Sequence, residues 1–195
     1  MIKITKFGGS SVANATQFAK VKQIIESDSA RRFVVVSASG REHKNDNKVT
    51  DLLYLIEAHI KYSVDYHPLF QLIEDRFLTM KRELNLTYPI ENDLEELKQR
   101  LNKTISTDYL VSRGEYLTAK LMAEYLGFPF LDAKDIIIFR YNGKIDFDAT
   151  RLRLKEYMQK HDRFVMPGFY GALPDGTIKI MSRGGSDITG SILAD

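Results

Sequence analysis

The sequence predicts an α/β domain built on a mostly parallel sheet, and three observations predict it. Short apolar runs alternate with amphipathic stretches at helical spacing, as strand–helix–strand units require. The run Phe33-Val34-Val35-Val36 is apolar without alternation, as a strand covered on both faces should be. Small-residue turns at 8–11, 37–40, 167–171 and 182–187 all fall where predicted strands end. Open sheets of this class hold their ligands beyond the carboxyl ends of their strands, so these turns mark the expected site.

Taken in order, Ile2, Ile4 and Phe7 alternate with polar residues in a first short strand, broken by Gly8-Gly9-Ser10-Ser11. A helix follows from about Asn14, with Phe18, Val21, Ile24 and Ile25 on one face and Asn14…Gln17 resembling a capping box. Phe33–Val36 ends at Ser37-Ala38-Ser39-Gly40. Residues 41–48 carry no apolar side chain and read as a solvated loop. Residues 49–105 read as two or three amphipathic helices, an excursion between strands, with breaks near His67-Pro68, 85–89 and Asn92-Asp93. His59 and His67 have no partners at metal-ligand spacing.

A clear helix is predicted over 106–127, ending at Gly127, with Leu117, Leu121, Met122 and Tyr125 as its buried stripe. Ser112-Arg113-Gly114-Glu115 lies near its start. A helical glycine costs about 1 kcal/mol, which suggests a close approach to the backbone there. The alternative is a plain Arg113–Glu115 surface pair. Residues 129–132 and 135–138 read as short strands, and Tyr141-Asn142-Gly143 as a hairpin turn. Asp146 and Asp148 suit a turn and an N-cap for a helix over 148–160 better than a metal pair. Arg163–Met166 is a further buried strand. Pro174-Asp175-Gly176 turns the chain back into a strand at 178, followed by Ser182-Arg183-Gly184-Gly185-Ser186-Asp187 and a helix.

Composition narrows the function. The 28 basic and 26 acidic residues leave a net charge of +2, too balanced to argue for nucleic acid or a membrane surface. Absence of cysteine excludes thiol catalysis and Cys-ligated zinc. No apolar run reaches the roughly 18 residues of a membrane span. The N-terminus enters a strand with no signal-peptide pattern, so a cytoplasmic location is expected.

Strand, Gly-Gly-Ser, helix occurs twice, at 4–18 and at 178–190. Paired glycines let a ligand approach the backbone, and the helix N-terminus behind them favours anions. An ordinary Gly-Gly turn with a Ser or Asp N-cap is the plainer reading of either one alone. Two such nests suit a polyphosphate, and Lys6, Arg183 and Asp187 add a cation, a planar fork and a carboxylate. No Walker A, Gly-x-Gly-x-x-Gly, His-Arg-Asp or hydrolase signature occurs. The parts that remain are those of phosphoryl transfer.

At this point five collinear segments carry a resemblance: Lys6-Phe-Gly-Gly-Ser-Ser-Val12, Lys48-Val-Thr-Asp-Leu-Leu53, Ser112-Arg-Gly-Glu115, Pro167-Gly-Phe-Tyr-Gly171 and Ser182-Arg-Gly-Gly-Ser-Asp187. Together they are similar to the motifs of the aspartate kinase (aspartokinase) family, within the amino-acid kinase superfamily. The resemblance implies a three-layer sandwich of the carbamate kinase-like type and ATP- and Mg²⁺-dependent phosphorylation of the L-aspartate side chain to 4-phospho-L-aspartate. That reaction is the first step toward lysine, threonine and methionine. It also implies roles. Lys6 and Asp187 would be catalytic, with Gly8, Gly9, Ser10, Gly184 and Gly185 around the phosphates. Arg183 would clamp the α-carboxylate, Glu115 would face the α-ammonium, and Ser39, Thr50, Phe169 and Ser186 would complete the aspartate pocket. No protein metal ligands are expected, and a homodimer is left open.

The sequence departs from the family at its end. Residues 190–195 stop inside an uncapped helix, so residues 1–195 are expected to be the substrate-binding part of a truncated kinase domain, without the remaining nucleotide contacts or ACT domains. Weak or absent turnover is expected from them alone. Two rivals remain: a kinase for glutamate or N-acetylglutamate, which an anionic Glu115 disfavours in the acetylated case, and a non-catalytic amino-acid-binding module.

Overall fold

The computed structural model describes residues 2–182 and 184–194. Strands β1 (Lys3–Phe7), β2 (Arg31–Val36) and β3 (Phe164–Pro167) form a parallel sheet in the order β1-β2-β3. Its register sets Phe7 beside Val36 and Val36 beside Pro167, so the three strands finish on one edge. Beyond that edge the turns are tied to each other. Ser37 N–H donates to the Phe7 carbonyl at 3.0 Å and Gly168 N–H to the Val36 carbonyl at 2.9 Å.

The predicted double cover of β2 is observed. Val34 and Val36 point into one apolar cluster and Phe33 and Val35 into another, the period-two alternation of a strand with a core on each face. The first cluster joins the sheet to helices α1 (Ala15–Glu26), α2 (Val49–Lys61), α3 (His67–Glu83), α4 (Ile90–Gln99) and α5 (Thr107–Leu126). The second lies toward α6 (Ala133–Ile136), α7 (Phe147–Met158) and α8 (Gly185–Ala194). The result is three layers. Phe18, Phe70, Phe77 and Phe164 are fully buried, each worth roughly 1.5–3 kcal/mol of burial.

Local signals behave as chemistry dictates. Asn14 caps α1 by accepting from Gln17 N–H at 3.0 Å, and Gly127 closes α5 in the left-handed region at φ 66°. Asp146 is the N-cap of α7, accepting from Ala149 N–H. The Asn142-Gly143 hairpin forms with Gly143 at φ 80°, and strands β4 (Tyr170–Ala172) and β5 (Ile178–Ile180) pair antiparallel across the turn at 174–176.

Two expectations are corrected and one holds. Asn92 and Asp93 do not break a helix but sit near the start of α4, where acidic side chains complement the exposed N–H groups. The break expected near His67-Pro68 is observed: α2 ends at Lys61 and His67 opens α3, with proline in its first turn. Asp135 and Ile136 belong to the short α6, nucleated by Asp132 accepting from Lys134 N–H; of the segments read there as strands, Phe130 and Ile138 survive as isolated bridges. Among the described residues no helix is long and apolar enough to cross a membrane.

Candidate active site

The strand-end turns enclose one open cavity of about 490 Å³. Strand β1 supplies Lys6 to its wall, the first turn Gly9 and Ser10, the second Ser37 to Arg41, and α2 supplies Thr50 and Asp51. Glu115 reaches it from α5, and Phe169 and residues 184–187 from the far side. Every predicted site residue among the described ones is therefore gathered here, except Gly8, which is close to Lys6 but does not line the cavity. A Cβ built on Gly8 would sit 3.7 Å from Lys6 Nζ. Arg183 lies outside the described residues.

Glycine is required where these turns press together. A Cβ on Gly40 would come within 2.5 Å of the Gly9 backbone, and one on Gly185 within 2.8 Å of Phe169. The turns thus use glycine to reach each other as well as to leave room for a ligand. Gly9 opens a 3-10 turn (Gly9–Val12), a step that the simple strand–loop–helix reading omitted. Phe169 holds φ 77°, unusual for a bulky residue and costing of order 1–3 kcal/mol. Its N–H donates to Thr189 Oγ1 at 3.1 Å and its carbonyl accepts from Met181 N–H at 2.7 Å, which fix that conformation.

Lys6 Nζ lies 2.8 Å from Asp187 Oδ1, joining β1 to the first turn of α8. The side chains are 26% and 71% exposed, so this pair is wet. Ser186, one residue before, is buried. Ser39 is fully buried: its N–H donates to Thr118 Oγ1 at 3.0 Å and its Oγ to the Ala13 carbonyl at 3.1 Å. Its hydroxyl oxygen is left to act as an acceptor at the cavity wall.

Glu115 is the electrostatic outlier. It is 5% exposed, and its Oε2 has no hydrogen-bond partner among the described residues. Burial pushes its carboxyl up to about 8, although the Ala38 N–H, its own N–H and the Arg113 charge pull the other way. A buried acceptor left unpaired costs of order 1–3 kcal/mol, so the pocket is built to receive a donor at this point.

The surface-pair reading of Arg113 and Glu115 is overturned, because both are buried. The Arg113 guanidinium lies 4.7 Å from the Tyr109 ring, 4.4 Å from Tyr116 and 5.4 Å from Tyr170, and donates to Ser112 Oγ. Between them, Gly114 meets α2 and the second turn: a Cβ there would lie 2.9 Å from Ala38 Cβ and 3.3 Å from Val49 Cγ1. The close approach expected at this helical glycine is another element of the protein. Arg41, Lys48 and Asp51 also line the cavity, and the sequence reading gave them no role. Lys48 and Asp51 lie inside the Lys48–Leu53 motif, a signal sufficient to find them.

Among the described residues no group of three or more His, Asp or Glu side chains could hold a metal ion unaided. The exposed Asp187 carboxylate fits the habit of Mg²⁺, which takes one or two carboxylates and draws its other ligands from substrate phosphates and water.

Known proteins share this fold. Aspartokinase 3 of Bacillus subtilis (strain 168) is 34% identical over 208 residues, covering 100% of this chain and 46% of that protein. The solved aspartate kinase of Clostridium acetobutylicum superposes with a TM-score of 0.94 at 43% identity, covering 98% of this chain and 44% of its own. E. coli aspartokinase III, solved in complex with aspartate and ADP, shares the fold at a TM-score of 0.84 and 24% identity, covering 100% of this chain and 46% of its own. The chain thus spans under half the length of these relatives. The model describing the amino acid kinase family matches residues 1–195. With that match over its whole length, and the strand-end turns meeting where such folds bind their ligands, the chain belongs to the amino acid kinase family.

Proposed function

We propose that residues 1–195 form the amino-acid-binding part of a kinase domain that transfers the γ-phosphoryl group of ATP to the side-chain carboxylate of L-aspartate, giving 4-phospho-L-aspartate. The observation that carries this reading is the buried Glu115 carboxylate, one oxygen unpaired, at the same cavity as the Lys6–Asp187 pair. A free α-ammonium satisfies Glu115, and an anion replaces or joins Asp187 at Lys6. The names of the similar enzymes support the same substrate, and the E. coli relative carries aspartate and ADP on this fold.

The chemistry asks little covalent work of the protein. A carboxylate with a pKa near 4 is already ionised at neutral pH, so no general base is needed. The obstacle is repulsion between two anions. Lys6, with the amides of Gly8, Gly9 and Ser10, offsets charge on the transferring group, and Asp187 holds the lysine in line. Gly184 and Gly185, before and at the N-terminus of α8, serve the remaining phosphates. Mg²⁺ bound with the nucleotide would neutralise phosphate charge, and Asp187 would help to organise the Mg²⁺-bound phosphates. Arg183 takes the α-carboxylate by resemblance, and Ser39, Thr50, Phe169 and Ser186 shape the pocket.

Calorimetric titration of L-aspartate and of N-acetyl-L-glutamate into the full chain tests the reading. Binding of the first and not the second is expected, since an acetylated amine brings no charge to Glu115. The reverse preference would transfer the assignment to an N-acetylglutamate kinase. Formation of acyl phosphate from Mg-ATP, trapped as the hydroxamate, separates a kinase from a binding module. For Arg183, the test is Arg183→Lys: a point ammonium cannot replace a two-pronged fork, so aspartate affinity should fall sharply despite the retained charge.

A further inference from the structure

Residues 41–48 contain no apolar side chain, yet both ends of this segment stand at the cavity: Gly40 and Arg41 at one, Lys48 and Thr50 at the other. Burial in a core cannot fix such a loop, so polar contacts must. Within it, Asp46 is the residue that is not fully exposed. Its carboxylate accepts from Glu42 N–H at 2.8 Å and Asn47 N–H at 2.7 Å, folding the loop about itself. It also receives Nη2 of Arg76 at 2.6 Å to each oxygen. Burial alone would raise the pKa of this group, but the two amides and the guanidinium outweigh it and hold Asp46 below the usual carboxylate range.

Arg76 comes from α3, in the helical excursion to which the sequence assigned no function. Its side chain is 8% exposed and that of Asp46 is 18% exposed, so the pair is shielded from the screening that makes surface pairs weak. Nη1 of Arg76 donates in addition to the Gly40 carbonyl. Gly40 in turn donates its N–H to the Gly9 carbonyl at 2.9 Å, so one guanidinium ties α3 to the loop and, through Gly40, to the first glycine turn.

We propose that Arg76 is a positioning residue: together with Asp46 it pins the 41–48 loop so that Arg41, Lys48 and Thr50 stand at the wall of the aspartate cavity. The part of this proposal that concerns aspartate rests on the function proposed above; the pinning of the loop does not.

The experiment measures two quantities in the full chain, for the wild type, Asp46→Asn, Arg76→Met, Arg76→Lys and the double Asp46→Asn/Arg76→Met. One is L-aspartate affinity by calorimetry. The other is the rate of tryptic cleavage after Arg41, Lys44 and Lys48, followed by mass spectrometry. Either single variant at Asp46 or Arg76→Met should weaken aspartate binding about tenfold and speed cleavage by a similar factor, with the double no worse than the singles, because one interaction is lost once. Arg76→Lys should fall between, since an ammonium cannot span both Asp46 oxygens and the Gly40 carbonyl. Unchanged affinity and cleavage in a folded Asp46→Asn variant would overturn the proposal, as would losses that add in the double. Should Arg76→Met fail to fold, Asp46→Asn decides, because it keeps the shape of the side chain and an oxygen for the loop amides. If the wild type does not bind aspartate, the functional reading has failed and the cleavage rates alone decide whether the pin holds the loop.

Discussion

Two sides of one cavity are built on opposite electrostatic terms. At the β1–α8 side, Lys6 and Asp187 form a close pair in contact with water. At the α5 side, Glu115 is buried, unpaired at Oε2 and biased toward its neutral form. An exposed pair contributes about 0–1 kcal/mol to folding and exchanges partners readily. A buried carboxylate without a partner is a standing cost, relieved by taking up a proton or by an incoming donor. Under the proposed function the difference implies a division of labour: the dry side would select the substrate, and the wet side would act on charge that moves during the reaction.

The largest expected effect separates the two sides most sharply. Lys6→Ala, assayed in the complete enzyme, should lower turnover about a thousandfold while leaving L-aspartate affinity within about threefold. Steady-state kinetics beside calorimetry gives both numbers. Equal losses in the two would show that Lys6 serves ground-state binding and that the division is false. Next in size, Glu115→Gln keeps shape and removes charge. It should weaken L-aspartate about a hundredfold by calorimetry and leave N-acetylated analogues indifferent to the change. A loss under about threefold would place the ammonium elsewhere.

A third test uses protons. The Glu115 carboxyl sits at about 8 in the folded protein against an ordinary 4.5. Between those values the folded state holds a proton that the unfolded chain has released, so stability declines as pH rises through that window. An ammonium beside Glu115 favours the ionised form, so binding expels the proton. Aspartate affinity should therefore climb with pH by at most about tenfold per unit up to about pH 8, then level. Calorimetry in buffers of differing ionisation enthalpy counts the proton directly. An affinity flat from about pH 6 to pH 8, or a slope surviving in Glu115→Gln, would sever the linkage from this residue.

The same contrast governs what the sequence reveals. Turns at strand ends are legible because Gly8-Gly9, Ser37–Gly40 and Gly184-Gly185 punctuate apolar runs, and the parallel register then carries them to one edge. Caps at Asn14 and Asp146 are legible because capping is local. The burial of Arg113 is not, since its neighbours in sequence suit a surface pair. The readable hint is Tyr109 and Tyr116, four residues before it and three after, on its own helix face; Tyr170 comes from a distant strand. Nor does any local signal join Asp46 to Arg76, because a polar loop and a helix 30 residues away are paired only by the fold. The short α6 was misread because Ile136–Ile138 looks like a strand, while the Asp132 cap that decides it stands four residues earlier.

The smallest expected effect sharpens the comparison from the other direction. Asp187→Asn removes one charge from the wet pair and leaves a side chain of nearly the same shape. With Asp187 71% exposed, water and salt already compete for both partners. The folding free energy should change by less than about 0.5 kcal/mol in urea denaturation, and the difference should vanish at about 1 M salt. Turnover in the complete enzyme should still fall, because Lys6 loses the partner that holds it along the β1–α8 seam. A stability loss of several kcal/mol that persists in salt would mean that this side is as dry as the Glu115 side. Lys6 and Asp187 would then be a structural ion pair, unavailable to trade partners with an arriving phosphate.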